Sequence, residues 1–342
     1  MSTLEANRTR PRASAPRASR AGSGKRPRAR APRVVVAFGG NASYPPTIKG
    51  LVEEQLALMA QACEHLVRIV RSGYQLVITH GNGPVVGNIL FRMARSANEL
   101  PPMPMDVCVA HSQGGMGYML QQTLGNALAA DGLDIATSAI VTRVEVDPDD
   151  PAFAQPTKPV GRFFGREDAE RLAREHGWQF IEDSGRGWRR VVPSPPPVRI
   201  LDLPAVRALL AAEVIPITVG GGGIPVARQQ NGDYRGVSAV VDKDLTSAML
   251  AAELGADALI MLTGVERVAL DFGKPTQRPL DRLTVEEARR HLAEGQFPPG
   301  SMGPKIGAAL DYLERGGTHV IITALDRMHD ALCGTAGTRI VP

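Results

Sequence analysis

Short, fully apolar runs alternate with stretches of helical periodicity along most of the chain. This is the pattern of strands buried on both faces of a parallel sheet and joined by crossover helices. Val34-Val35-Val36-Ala37-Phe38 and Leu76-Val77-Ile78-Thr79-His80 are two such runs. Between them Leu51, Met59, Cys63, Leu66 and Val70 recur at helical spacing, and Gly73 supplies the stop. The same rhythm predicts helices near residues 116–130, 204–212, 243–254, 284–292 and 303–314. It predicts further strands near 139–141, 214–219, 258–262, 318–323 and 338–341. Asn231-Gly232-Asp233 reads as a hairpin turn. The order is that of an α/β fold with a mostly parallel sheet covered on both faces and its ligand loops gathered along one edge.

Two segments break the rhythm. Residues 147–197 are rich in proline, carry Trp178 and Trp188, and lack continuous periodicity. They are expected to form an inserted subdomain of short strands, anchored at both ends in the main sheet. Residues 1–33 hold nine Arg and one Lys against the single acid Glu5. Their composition resembles a transit peptide, but Pro11, Pro16, Pro27 and Pro32 break any amphipathic helix, so a disordered basic tail is expected before a folded domain at 34–342.

That tail accounts for the basic balance. The whole chain of 342 residues has a formal charge of +4, and the part beyond residue 33 is mildly acidic. Aromatic residues make up 4% of the chain, too few for a base-stacking platform, so nucleic acid is not an expected partner. No apolar run is long enough to span a bilayer, so no membrane partner is expected. Cys63, Cys108 and Cys333 are scattered and form no C-x-x-C pair, which reads as reduced thiols in a cytoplasmic protein.

The chemistry gathers where strands exit into glycine: Gly39-Gly40-Asn41, Gly81-Asn82-Gly83, the run Gly220, Gly221, Gly222 and Gly223, and Gly303-Pro304. Such loops bring bare peptide N–H groups close to an anion, and a following helix N-terminus adds about half a positive charge. Lys243 opens a helix between Asp242 and Asp244, Lys305 follows Gly303-Pro304, and Lys158 is stiffened by prolines on both sides. Lysines around an amide cradle suit phosphoryl transfer, which needs positioning and charge neutralisation more than covalent help.

Other chemistries fail on spacing. A dinucleotide fingerprint would need glycine at Val86, and Gly22-Ser23-Gly24-Lys25 is not a Walker loop. The seven histidines form no H-E-x-x-H and no Cys/His cluster, so no metal ligands are assigned. Asp147, Asp149 and Asp150 lack the glycine and glutamate of a calcium loop. His80 and His111 adjoin the glycine loops and are read as core or cap residues.

Taken together, Gly39-Gly40-Asn41-Ala42, His80-Gly81-Asn82-Gly83-Pro84, Ser112-Gln113-Gly114, Pro156-Thr157-Lys158-Pro159-Val160-Gly161, Gly187-Trp188-Arg189-Arg190-Val191-Val192-Pro193-Ser194-Pro195, Asp242-Lys243-Asp244 and Gly300-Ser301-Met302-Gly303-Pro304-Lys305 resemble carbamate kinases of the amino-acid kinase fold. The insert motifs are the most specific of these. The resemblance implies an open αβα sandwich around about eight strands, with residues 147–197 as a protruding lid. It implies reversible transfer between carbamoyl phosphate and ADP, giving ATP and carbamate, with Mg2+ as cofactor and a homodimer as assembly. It implies that Gly39, Gly40 and Asn41 hold the transferred phosphoryl group, with Gly220, Gly221 and Gly222 as further phosphate contacts. Gly81 and Asn82 would bind the carbamoyl group. Lys158 would reach in from the lid, and Lys243 and Lys305 would neutralise phosphate oxygens, oriented by Asp244. The sequence departs from the family's usual pattern at residues 43–46, Val85, Ser238, residues 264–266 and Ala269. The changes at residues 43–46 and Ala269 motivate a second reading, a paralogue that binds its ligand without turnover, as a regulatory or complex subunit; a third reading is a kinase of another small carboxylic acid.

Overall fold

The computed structural model describes residues 30–39, 48–183, 185–298 and 300–342. The expected tail falls outside them up to residue 29. In chain order the first elements are β1 (Arg33–Phe38), α1 (Val52–Arg71), β2 (Gln75–His80), α2 (Gly83–Ser96), α3 (Met105–Ala130), β3 (Thr137–Ala139) and β4 (Arg143–Glu145). Next come β5 (Lys158–Phe164), α4 (Arg166–His176), β6 (Gln179–Glu182), β7 (Trp188–Val192), β8 (Arg199–Ile200), α5 (Leu203–Ala211), β9 (Ile215–Ile217), β10 (Ile224–Arg228) and β11 (Tyr234–Gly236). The chain continues through α6 (Lys243–Glu253), β12 (Ala258–Thr263), β13 (Ala269–Leu270), β14 (Arg278–Pro279), β15 (Arg282–Thr284), α7 (Val285–Ala293), α8 (Met302–Glu314), β16 (Val320–Ala324), α9 (Met328–Leu332) and β17 (Thr338–Val341).

The main sheet has eight strands in the order β15-β17-β16-β12-β1-β2-β9-β3, and only the β16–β17 pairing is antiparallel. Its centre is apolar on both faces, as the continuous hydrophobic runs require. Val35, Val77, Leu259 and Met261 pack with α6 and α8 residues such as Leu250, Ile306 and Tyr312. Val34, Val36, Ile78 and Ile260 pack on the other face with Leu66 of α1 and Leu120 and Leu124 of α3. Each such side chain, fully buried, contributes about 1.5–3 kcal/mol, enough for two such layers to fix the register of the sheet.

Register decides where the loops meet. Phe38 pairs with His80, and Ile78 with Ile217, so β1, β2 and β9 end side by side and release Gly39, Gly81 and the glycine run at one edge. Gly81 N–H donates to Phe38 O at 3.0 Å, which ties the first two exits together.

The insert folds as a small layered unit. β5, β7 and β6 form a three-stranded antiparallel sheet, and α4 packs Ala169 and Leu172 against Phe164, Trp178, Phe180 and Phe91 of α2. The Arg190 guanidinium lies 3.9 Å from the Trp178 ring centre, a cation–π contact that closes this core from one side. The insert is anchored differently from expectation. Its flanking strands β4 and β8 belong to a separate four-stranded sheet with β10 and β11, rather than to the main sheet. Short strands with one apolar face give no sequence clue to which sheet they join.

Three further differences have local causes. The helix expected near residues 116–130 begins at Met105, and Gly114 and Gly115 lie inside it. The strand expected over 214–219 spans Ile215–Ile217, since Val219 turns to a left-handed φ of 43°. The strand expected near 139–141 is Thr137–Ala139.

The insert meets the body at backbone distance where Gly87 of α2 touches Gly161 of β5. A Cβ at Gly87 would lie 2.0 Å from Gly161 Cα. Gly87→Ala should therefore push β5 off α2 and cost about 1–3 kcal/mol. Thermal melting should show that loss together with faster proteolysis within residues 147–197; a variant matching the wild type in both would show that the contact carries no load.

Candidate active site

The glycine exits and three helix N-termini enclose one cavity of about 360 Å³. Its wall includes Gly39, Gly81, Asn82, Gly221, Thr263 and Gly264 from the loops, and Gly83, Pro84, Ser301 and Pro304 from the starts of α2 and α8. Six charged residues line it among those described: Lys158, Arg189, Lys243 and Lys305 against Asp242 and Asp244. Four cations against two carboxylates leave a positive field, to which each helix N-terminus adds about half a charge.

Asp244 organises the floor. Its Oδ1 accepts from Lys243 Nζ at 2.5 Å and its Oδ2 from Lys305 Nζ at 2.8 Å. Lys243 and Asp244 are 8% and 5% exposed, so this is a buried ion triad rather than a surface pair. Burial alone would raise the Asp244 carboxyl, but Lys243 and Lys305 outweigh it and hold it well below the usual carboxylate range. Burial pushes the Lys243 ammonium below its ordinary range, and Asp244 opposes the shift.

A second pair joins the insert to the floor. Lys158 Nζ lies 2.7 Å from Asp242 Oδ2. Asp242 also caps α6, its Oδ1 accepting from the N–H groups of Asp244 at 2.8 Å and Leu245 at 3.4 Å. Burial works to raise this carboxyl too, yet Lys158 and Lys243 bring it below the usual range.

The glycine run turns under this floor. Gly221, Gly222 and Gly223 all have φ between 65° and 92°, the left-handed region open to glycine. Val219, which precedes them, takes a φ of 43° although it is β-branched, a strain of about 1–3 kcal/mol held at the edge of the site. The turn is tied on two sides. Gln113 Nε2 donates to Gly220 O at 2.9 Å and to Thr142 O at 3.1 Å, and Thr246 Oγ1 donates to Gly222 O at 2.9 Å. Asn82 Nδ2 donates to Ser112 Oγ at 2.8 Å beside the same turn.

The structure thus brings Lys158, Lys243, Asp244, Lys305, Gly39, Gly81, Asn82 and Gly221 to one cavity. Gly220 and Gly222 are buried in the turn behind its wall, tied by Gln113 and Thr246. Gly40 and Asn41 lie outside the described residues. Among the sequence departures, Ser238 points its Oγ at Met105 Sδ, 3.9 Å away. Ala269 is buried beside a separate hollow shared with Phe272 and Pro279.

Sequence reading assigned no role to Asp242, Gln113 or Arg189. Asp242 was visible in its motif, and its N-cap position before a helix was the signal. Gln113 bonds across long sequence separations that no local pattern records. His111, expected as core or cap, is exposed on α3. His80 is buried, its Nδ1 is 3.2 Å from Gly81 O, and a Cβ on Gly220 would lie 2.4 Å from its Nε2. The ring therefore wedges β2 against the glycine run.

A sequence profile of the amino acid kinase family matches residues 32–324. The carbamate kinase-like protein YahI of Escherichia coli is 47% identical over 311 residues, covering 90% of this chain and 98% of that protein. The carbamate kinase of Thermococcus kodakarensis is 46% identical over 311 residues, with coverage of 90% and 98%. Among solved structures, the carbamate kinase of Giardia lamblia bound to AMP-PNP superposes with a TM-score of 0.83 at 40% identity, covering 91% of this chain and 98% of that one.

Burial pushes the His80 imidazole down to about 4. Between its ordinary value of 6.5 and that value the unfolded chain binds a proton that the folded chain refuses, so stability falls as pH drops through this window. Urea unfolding should show the wild type losing about 2 kcal/mol more than His80→Gln between pH 7 and pH 5. Equal losses in the two proteins would mean that His80 does not stay neutral on folding.

Proposed function

The chain belongs to the amino acid kinase family, and from that premise we propose that it is a carbamate kinase. It exchanges a phosphoryl group between carbamoyl phosphate and ADP, giving carbamate and ATP. The bond from phosphorus to the carbamoyl oxygen breaks as the bond to the β-phosphate oxygen of ADP forms. In reverse, a carbamate oxygen attacks the γ-phosphorus of ATP. Both nucleophiles are already anions, so the site needs no general base.

The observation that carries this reading is the buried Lys243–Asp244–Lys305 triad at the edge of the glycine loops. A migrating phosphoryl group carries its charge on three equatorial oxygens, and two ammonium groups fixed by one carboxylate meet that charge without reorganising. Lys158 is the third cation, delivered by the insert, which excludes water when it lies over the site. Amides of Gly39 and Gly221 supply further donors, and Asn82, beside Gly81, is the side-chain contact for the carbamoyl group.

Magnesium fits this site as the nucleotide's companion. No cluster of three or more His, Cys, Asp or Glu that could hold a metal occurs among the described residues. A magnesium ion bound mainly by phosphate oxygens needs at most one or two carboxylates, and Asp242 and Asp244 are those on the wall. Bound there, it would neutralise phosphate charge alongside the lysines.

The assembly we propose is a homodimer through α3. From residue 107 to Ala130 this helix has no Asp, Glu, Lys or Arg, although Gly114, Gly115, Tyr118 and Gln122 are exposed. Two copies of an uncharged face meet across a two-fold axis without like-charge repulsion. We place the protein in the cytoplasm, a reading supported by its free thiols Cys63, Cys108 and Cys333. No described helix is long and apolar enough to cross a membrane.

ATP formation from ADP and carbamoyl phosphate, followed by a coupled assay, tests the function. Lys243→Ala and Lys305→Ala should each lower kcat by about 100-fold or more, the scale of one lost charge-stabilising donor. Ligand binding without turnover in the wild type would instead favour the non-catalytic paralogue, and turnover with other carboxylic acids would favour a kinase of different specificity. Tyr118→Arg should shift sedimentation from dimer to monomer; an unchanged dimer would move the interface elsewhere.

A further inference from the structure

Lysines account for three of the four cations on the cavity wall, and the fourth, Arg189 of β7, makes contacts of a different kind. Its Nη2 donates to two carbonyl oxygens, Pro159 O and Gly161 O, each at 3.2 Å. Its Nη1 lies 3.3 Å from Asp183 Oδ2, and its guanidinium stands 5.3 Å from the Phe163 ring centre. The Nε is buried without a hydrogen-bond partner. Nη2 thus spends both of its N–H groups on carbonyls of β5, Nη1 gives one to Asp183, and the Nε N–H is buried.

Both carbonyls belong to β5, and they lie one and three residues after Lys158, the first residue of that strand. This part of the strand is poorly held by its own backbone. Pro159 has no N–H to give the ladder. The β5–β7 pairing runs Lys158 to Val192, Pro159 to Val191 and Val160 to Arg190, then slips before resuming at Phe164 with Trp188. Gly161 sits in that irregularity with a φ of 75° and rests on Gly87 of α2. Arg189 fills the gap by offering side-chain donors where ladder bonds are missing.

We propose that Arg189 is the positioning residue for Lys158, clamping the bulged strand so that the ammonium enters the phosphoryl site at the right depth. The inference rests on the phosphoryl-transfer reading given above. It differs from two plainer roles. A direct substrate contact would act independently of Lys158, and a structural role in the lid would not single out Lys158.

A double-mutant cycle separates these roles. The wild type, Arg189→Gln, Lys158→Ala and the double variant are compared for kcat and for KM of ADP in the carbamoyl phosphate assay, each with a melting curve. Arg189→Gln is expected to lower kcat by about 10–100-fold with KM for ADP changed less than about twofold, the scale of a catalytic group misplaced by about an ångström. In the Lys158→Ala background the same substitution is expected to change kcat by less than about twofold. Arg189→Lys, which keeps the charge but lacks the planar fork, is expected to behave like Arg189→Gln. An equal loss in both backgrounds, or no loss in the first, overturns the proposal. Should Arg189→Gln fail to fold, Arg189→Lys carries the same cycle. Should the wild type show no turnover, the phosphoryl-transfer reading fails on its own. The cycle is then run on the Kd for carbamoyl phosphate, where coupling between the two positions supports the clamp and strict additivity overturns it.

Discussion

One carboxylate shared by two ammonium groups is the constraint from which the rest of the site follows. Asp244 has lost nearly all contact with water, and so has Lys243. Charges withdrawn from water this far cost several kcal/mol each before any partner is counted, so each must be met by an opposite charge and a hydrogen bond. Asp244 answers both of its lysines, yet two positive charges against one leave a surplus of one. An arrangement that keeps this surplus in a half-closed cavity is complementary to an anion, and it holds that complementarity before the anion arrives. Such preorganisation separates a catalytic site from a structural ion pair, which would close on itself neutral.

The sheet exists to place that carboxylate. β1, β2 and β9 end in step because their apolar layers leave one register open, and the three exits meet α6 at its first turn. Glycine is required where these exits crowd. A Cβ at Gly221 would lie 2.1 Å from Asn82 Nδ2, and one at Gly222 would lie 2.4 Å from Val241 O. The strain held in Val219 belongs to the same geometry: the chain must leave β9 and reverse within a few residues to present its amides beneath the lysines.

Much of this was legible from the chain alone. The buried strands announced themselves as continuous apolar runs, and the glycine exits marked the ligand edge, because both signals are local. The convergence of the glycine loops followed from which strand exits such a sheet brings together, and the meeting of Lys158, Lys243 and Lys305 there was what the resemblance implied. The start of α3 was hidden because Gly114 and Gly115 are poor helix formers, yet they lie inside a helix held by packing. Gln113 could not be assigned because its partners Thr142 and Gly220 are 29 and 107 residues away. Arg189 and Arg190 were indistinguishable in sequence. Strand alternation sends them to opposite faces, one to the cavity and one to the Trp178 ring, but does not say which.

Asp242 divides its two oxygens between partners that belong to different parts of the protein. One oxygen closes the first turn of α6, and the other holds the ammonium of the insert. The placement of the insert is thereby linked to the electrostatics of the helix that begins with Lys243. Were Lys158 drawn away, the full carboxylate charge would return to the amides of Asp244 and Leu245 and tighten the turn that carries Lys243. The placement of the insert and the first turn of α6 are in this sense two readings of a single proton-free carboxyl group.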